Sequence, residues 1–183
     1  MLKIIEYQNQ KSIKKEIANL FESAFPRDER PSTRALFKSL ERKENKLITY
    51  YLEDIFIGFT FLTFYQDVCY IFFLAVSKDY RHQGFGGQII EYIKKQYSHY
   101  VLLLGYEEID PKYPNYLERV ARERFYFSHG FKNNNLKTDE YGVIFQTAFI
   151  GHHQIDFLTY LEIFKLGFGE KSERYIKQVI PHQ

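Results

Sequence analysis

Between Val68 and Tyr106 a β-rich run, VCYIFFLAV, leads into a glycine cluster, then an amphipathic helical pattern, then a second apolar run, YVLLLGY. Two strands joined through a helix are expected to lie side by side and parallel, with a right-handed crossover. This order constrains the middle of the fold more than any other feature. The cluster itself, YRHQGFGGQII, sets Gly84, Gly86 and Gly87 within four positions of a chain that has ten glycines in 183 residues. Glycine adds no side chain and costs backbone entropy, so the cluster marks a sharp bend or a close approach.

The segments before it are also β-rich. KLITYYLE, IFIGFTFLTFY and VCYIFFLAV are separated by Glu53–Asp54 and Gln66–Asp67, which predicts three antiparallel strands joined by tight turns. LKIIEY reads as a short strand at 2–7. Ser12 is the expected N-cap of a helix carrying Ile13, Ile17, Leu20, Phe21 and Ala24 on one face and stopped by Pro26. A second helix is expected from Ser32, fading by Asn45, with the charged loop FPRDERP between the two. Downstream, Asn115 with Glu118 has capping-box spacing, and Gly130 suits a helix C-terminus. A polar turn at 133–135, a strand over YGVIFQTAFI, an amphipathic helix at about 154–165 and a polar tail complete the reading.

At this length one domain is the simplest expectation, able to bury roughly 70% of its unfolded surface. A content of 45% hydrophobic and 26% charged residues excludes disorder. Cys69 is the one cysteine, so neither an internal disulfide nor a zinc knuckle is expected. The adjacent His152 and His153 lack metal-ligand spacing and read as an exposed turn, so no metal is expected. The N-terminal segment lacks an apolar stretch of signal-peptide length, and the longest uncharged run, 55–66, is too short to span a bilayer. A cytoplasmic protein that binds no membrane is therefore expected. A net charge of +2 without a basic-aromatic face argues against nucleic acid.

A glycine loop that opens a helix just after a strand aims free N–H groups and the positive helix end at an anion. Three phosphate loops compete, with a ligand-free tight turn as the plain alternative. A P-loop requires Lys and then Ser or Thr where Gln88 and Ile89 stand. A dinucleotide GxGxxG from Gly84 fails at Ile89, although Glu107 lies where a ribose-binding acid would be expected. The antiparallel strands before the loop and the single crossover also disagree with a Rossmann unit.

The third reading needs no repair. RHQGFG matches [QR]xxGxG through Arg81, Gly84 and Gly86, and here the chain resembles the GNAT N-acetyltransferases. LAVSKDYRHQGFGGQII resembles that family's strand, loop and helix, and RERFYFSHGF its later helix with the FYxxxGF ending. The resemblance spans roughly residues 2–150. It implies an α/β (α+β) GNAT fold: a mixed, mostly antiparallel sheet with one splayed parallel pair and flanking helices. Residues 1–150 would form the acetyltransferase domain, with 151–183 as a helix and tail packed on it.

The resemblance also implies an acetyl-CoA site, with acetyl-CoA as acyl donor. The pantetheine arm would hydrogen-bond to the open edge at Leu74, Ala75 and Val76, and an N–H near Val76 would contact the oxyanion. The pyrophosphate would lie on the loop of His82, Gln83, Gly84, Phe85, Gly86 and Gly87, with Arg81 ordering it or neutralising charge. Tyr126 takes the place of the family's helix tyrosine as general acid, with packing in the helix interface as its duller alternative. For the base, Glu107, Glu108, Asp110 and Glu29 all stay open, Glu107 being the favoured carboxylate. Arg119 and Arg122 stand where the family often has Asn and Ala; they could reach a nucleotide phosphate or, with Arg124, solvate a helix face. The expected function is transfer of acetyl to a primary amine of a small molecule or peptide, by direct attack in a ternary complex, in a monomer or homodimer. The alternative is a GNAT-fold sensor that binds acyl-CoA without turnover.

Overall fold

In the computed structural model, which describes residues 2–180, β1 (Leu2–Glu6) is followed by α1 (Lys11–Ala24), α2 (Thr33–Ser39), β2 (Asn45–Leu52), β3 (Ile55–Tyr65) and β4 (Val68–Val76). Then come α3 (Phe85–Gln96), β5 (Val101–Glu107), α4 (Tyr116–Ser128), β6 (Lys132–Glu140), β7 (Val143–Ile150), α5 (Phe157–Phe168) and β8 (Ile176–Gln178). The strands form one sheet in the order β1-β2-β3-β4-β5-β7-β6-β8. Every neighbouring pair is antiparallel except β4 with β5, the pair joined through α3.

Alternation along the strands splits the core between two faces. Leu102, Leu104 and Tyr106 of β5 pack with Ile89, Ile90 and Ile93 of α3. Their neighbours Val101 and Leu103 turn to Tyr160, Ile163 and Phe164 of α5. Helices α1 and α2 cover the rest of that second face through Ile17, Phe21 and Leu36, packed on Leu47, Phe59, Phe61 and Phe73. Asn45 ties the C-terminal segment down: its amide donates to the carbonyls of Ser39, Leu166 and Gly167 and accepts from Thr63.

Several sequence expectations shift locally. Helix α1 starts after Gln10, with no side-chain cap, rather than at Ser12. Ser32 caps α2 as expected, accepting from the Ala35 N–H at 3.2 Å. Asn115 sits at the N-cap of α4, but its carbonyl oxygen accepts from Arg119 Nε at 2.8 Å, so no capping box forms. The polar 133–135 segment lies inside β6, because Asn134 is buried with its amide satisfied by Thr147 and by the Ile155 backbone. Tyr141 and Gly142, expected at the start of a strand, instead make the β6–β7 turn with φ of 56° and 91°. The tail contributes β8, paired with β6.

Candidate active site

The parallel ladder between β4 and β5 runs from Val68↔Val101 to Ile71↔Leu104 and stops there. From Phe72 onward β4 keeps its partner β3 but has none on the other side, while β5 continues along β7. The register against β3 jumps at this point: Phe61 faces Phe73 and Leu62 faces Ile71, so Phe72 is an extra residue, a β-bulge. Below the bulge Cys69 and Ile71 face α3; above it Leu74 and Val76 do, and Phe72 and Phe73 both turn to the opposite face.

The Ser77 N–H bonds to the Ile57 carbonyl at 2.7 Å, which sets the alternation of this antiparallel ladder. Ala75 and Phe73 therefore bond toward β3, whereas the backbone groups of Leu74 and Val76 point into the gap. Of the three residues expected at the open edge, Leu74 and Val76 present their polar groups to it and Ala75 only lines it, its carbonyl lying against Gly58. The Val76 carbonyl accepts from Arg81 Nε at 2.9 Å, so Arg81 pins the loop to the strand end.

The glycines meet different requirements. Gly84 has φ of 81° at the N-cap of α3, after His82 at φ 61°. Gly86 and Gly87 lie within the first turn of the helix rather than in a loop. A Cβ on Gly86 would lie 3.2 Å from the Phe125 ring and one on Gly87 2.7 Å from His129 Nε2, so close packing of α4 accounts for both. Gln88 is bonded back to Gly84 (3.1 Å), and the N–H groups of the first turn before it have no intrahelical acceptor. Gln83 braces the loop by donating to the Asp79 carbonyl.

A cavity of about 270 Å³ fills the gap, lined by Leu74, Ala75, Val76, Arg81, Glu107, Arg122 and Tyr126 among others. The Tyr126 phenol is pushed above its usual range by burial, with Arg122 pulling it down and Glu107 pushing it up. Its ring packs on Phe125 and Phe131. Glu107 is 3% exposed and ion-paired to Arg122 Nη1. Glu29 lines this cavity and also a second one of about 320 Å³ that continues from it. Glu108 and Asp110 lie elsewhere: Glu108 is bonded to Lys137 at 2.5 Å and Asp110 to Lys112 at 2.8 Å, and these partners lower both carboxyls. Arg119 does not solvate a helix face. It is 6% exposed, stacks on Tyr113 and donates to the Glu108 carbonyl.

The profile of the acetyltransferase (GNAT) domain matches residues 43–133, the stretch that holds the parting strands, the glycine loop and Tyr126. The chain belongs to the GNAT acetyltransferase family. The GNAT fold recurs in solved structures of low sequence identity. An acetyltransferase assigned to this family from Bacteroides thetaiotaomicron is 17% identical with a TM-score of 0.72, over 91% of this chain and 98% of that one. The ribosomal-protein-S18-alanine N-acetyltransferase of Escherichia coli is 17% identical with a TM-score of 0.64, over 86% and 97%. A GNAT acetyltransferase from Elizabethkingia anophelis with acetyl-CoA bound is 15% identical with a TM-score of 0.61, over 82% and 98%. No curated protein sequence matches the chain.

Some features of this GNAT chain were not legible beforehand. Asp67, His152 and His153 come together with ligand atoms within 4.8 Å, at the end of β4 remote from the gap, although no spacing signals it. Among the described residues no helix is long and apolar enough to cross a membrane. In the second cavity Glu140 accepts from Tyr160 Oη at 2.6 Å and from Thr138 Oγ1 at 2.8 Å, and Tyr160 meets Tyr70 Oη at 3.0 Å. Because Tyr160 donates to Glu140, the Tyr70 hydroxyl is left to donate to Tyr160.

Burial raises the Glu140 carboxyl from 4.5 to about 7, against the pull of both donors. The folded state thus binds this proton more tightly than the unfolded chain, and stability from this group falls as pH rises from about 4.5 through about 7. Glu140→Gln is expected to gain up to about 3 kcal/mol relative to the parent between roughly pH 5 and roughly pH 8. Urea unfolding at both pH values checks this; an equal difference at the two would contradict it.

Proposed function

We propose that the chain transfers the acetyl group of acetyl-CoA to a primary amine of a small molecule or peptide, both substrates being held at once. The observation that carries this is the parting of β4 and β5 after Ile71, which opens the Leu74 and Val76 edge between the α3 N-terminus and Tyr126. That edge is a ready partner for an extended, amide-bearing arm. The amides of 83–87, which run from the loop into the first turn of α3, suit a pyrophosphate. The open edge, the cavity and these amides together fit the cofactor, and acetyl-CoA supplies the acyl group as a thioester. The buried, unpaired Cys69 suits the reducing cytoplasm expected for such an enzyme.

The chain's own residues then divide the work. The Val76 N–H, pointing into the gap, steadies the thioester oxygen. Tyr126, kept protonated by burial, gives its proton to the departing sulfur. A carbon–nitrogen bond forms as the carbon–sulfur bond breaks, and a carboxylate takes the proton from the amine. Glu107 and Glu29 both line the transfer cavity, and Arg122 is drawn to both. We assign the base to Glu29, where the two cavities join, and to Glu107 the fixing of Arg122.

Thermal melting with CoA, acetyl-CoA or NADH, followed by thiol release with a set of amines, tests the assignment. CoA compounds at 100 times their Kd stabilise by about 2.7 kcal/mol if they bind the folded chain alone. Gly84→Val, a branched side chain at a left-handed φ, is expected to shrink that shift. Equal stabilisation by NADH would defeat the assignment to CoA. Stabilisation without thiol release from any amine would leave an acyl-CoA binder in place of an enzyme.

A further inference from the structure

The second cavity is unlike a site for a highly polar acceptor. Its walls include seven aromatic rings: Tyr70, Phe72, Phe73, Phe145, Phe164 and Phe168, with Tyr141 at the rim. It joins the transfer cavity through Phe72, Phe73, Gly105, Phe145 and Glu29. Gly105 keeps the passage clear, since a Cβ there would lie 2.8 Å from Tyr70 Oη. Beyond the shared part Glu140 supplies, among the described residues, the one carboxylate of the second cavity, and Arg27 and Arg30 line it as well, Arg30 donating through Nε to the Phe25 carbonyl.

A polyhydroxylated body placed among these rings would leave hydroxyls without partners, which costs binding energy for each one buried. An apolar or aromatic body gains from the same rings. Tyr160 and Thr138 both donate to one Glu140 oxygen, Oε1, and a carboxylate has about four acceptor positions in all. Capacity remains for a donor from a bound molecule.

We infer that the acceptor is a small primary amine on an aromatic or otherwise apolar body, carrying a second hydrogen-bond donor that Glu140 receives. This rests on the acetyltransferase reading above. The reacting nitrogen sits by Glu29 at the junction, the body lies among the rings, and the second donor reaches Glu140.

The test uses the full chain with acetyl-CoA and four amines: phenethylamine, tyramine, 1,4-bis(aminomethyl)benzene and kanamycin. Above about pH 7, where Glu140 is ionised, tyramine and the diamine are expected to exceed phenethylamine in kcat/KM by about 10-fold or more, the gain of a hydrogen bond to a charged group. Kanamycin is expected to be the poorest. Glu140→Gln should shrink the advantage of the two donor-bearing amines over phenethylamine. Tyr141, 57% exposed and stacked on Tyr175 at the cavity rim, gives a second variant that does not disturb the core. Tyr141→Ala is expected to raise KM for tyramine several-fold with KM for acetyl-CoA retained.

Faster transfer to kanamycin than to the aromatic amines would overturn this inference and leave the acetyltransferase reading intact. An advantage undiminished in folded Glu140→Gln would overturn the role of Glu140, as would an unaltered tyramine KM in Tyr141→Ala the role of the aromatic rim. Acetyl-CoA binding without transfer to any amine would instead overturn the acetyltransferase reading, and this inference with it.

Discussion

Tyr126→Phe is expected to lower kcat for acetyl transfer by about 100-fold or more, with acetyl-CoA affinity nearly retained. The substitution removes one oxygen and keeps the ring that packs on Phe125 and Phe131, so the fold of α4 has no reason to change. What is lost is a proton donor on the cavity wall facing the open edge of β4. Measured kcat, KM and CoA binding separate the roles. A tyrosine that only packs would give near-normal turnover in the variant. A fall of a few fold at constant affinity would move the acid elsewhere and leave the cofactor site standing.

Arg122→Met should destabilise the chain by about 1–3 kcal/mol, the usual loss when a buried polar group is left without its partner, Glu107 being the buried member and Arg122 a third exposed. Glu107 is almost wholly buried at the end of β5 and would be left there without its partner. Denaturant unfolding of the single variant and of Arg122→Met with Glu107→Gln forms the comparison. The double variant should recover much of the loss, because it leaves no carboxyl group without its partner. If the single variant unfolds at the parent's midpoint, the pair contributes little and Glu107 returns as a candidate base.

The sequence was most informative where local pattern and topology agree. VCYIFFLAV, the glycines and YVLLLGY implied a strand, a helix and a parallel strand, and β4, α3 and β5 follow that order. Tyr126 and the edge at Leu74, Ala75 and Val76 came from the resemblance to GNAT proteins, and the fold brings them to one cavity. Other features depend on contacts that no local pattern encodes. The polar Asn133–Asn135 segment reads as a turn until Thr147 and the Ile155 backbone are seen to satisfy Asn134 inside the sheet. The need for glycine at 86 and 87 appears only when α4 is placed against them, where a Cβ would crowd Phe125 or His129. Arg122 departs from the family pattern, and its reason appears only when β5 brings Glu107 beside it. Glu140 is invisible for the same reason: its partner Tyr160, and the Tyr70 hydroxyl that Tyr160 meets in turn, come from distant parts of the chain.

The bulge at Phe72 has a bearing on how this protein can diversify. A strand changes sides in whole residues, so the donor edge above the bulge and the aromatic floor at it stand in a fixed phase relation. Exchanging one ring for another at Phe72 or Phe73 alters the shape offered to the acceptor and leaves that phase untouched. Insertion or deletion of a residue there inverts it, turning Leu74 and Val76 away from the gap. Acceptor choice is thus open to point substitution, while the length of this strand is closed to drift.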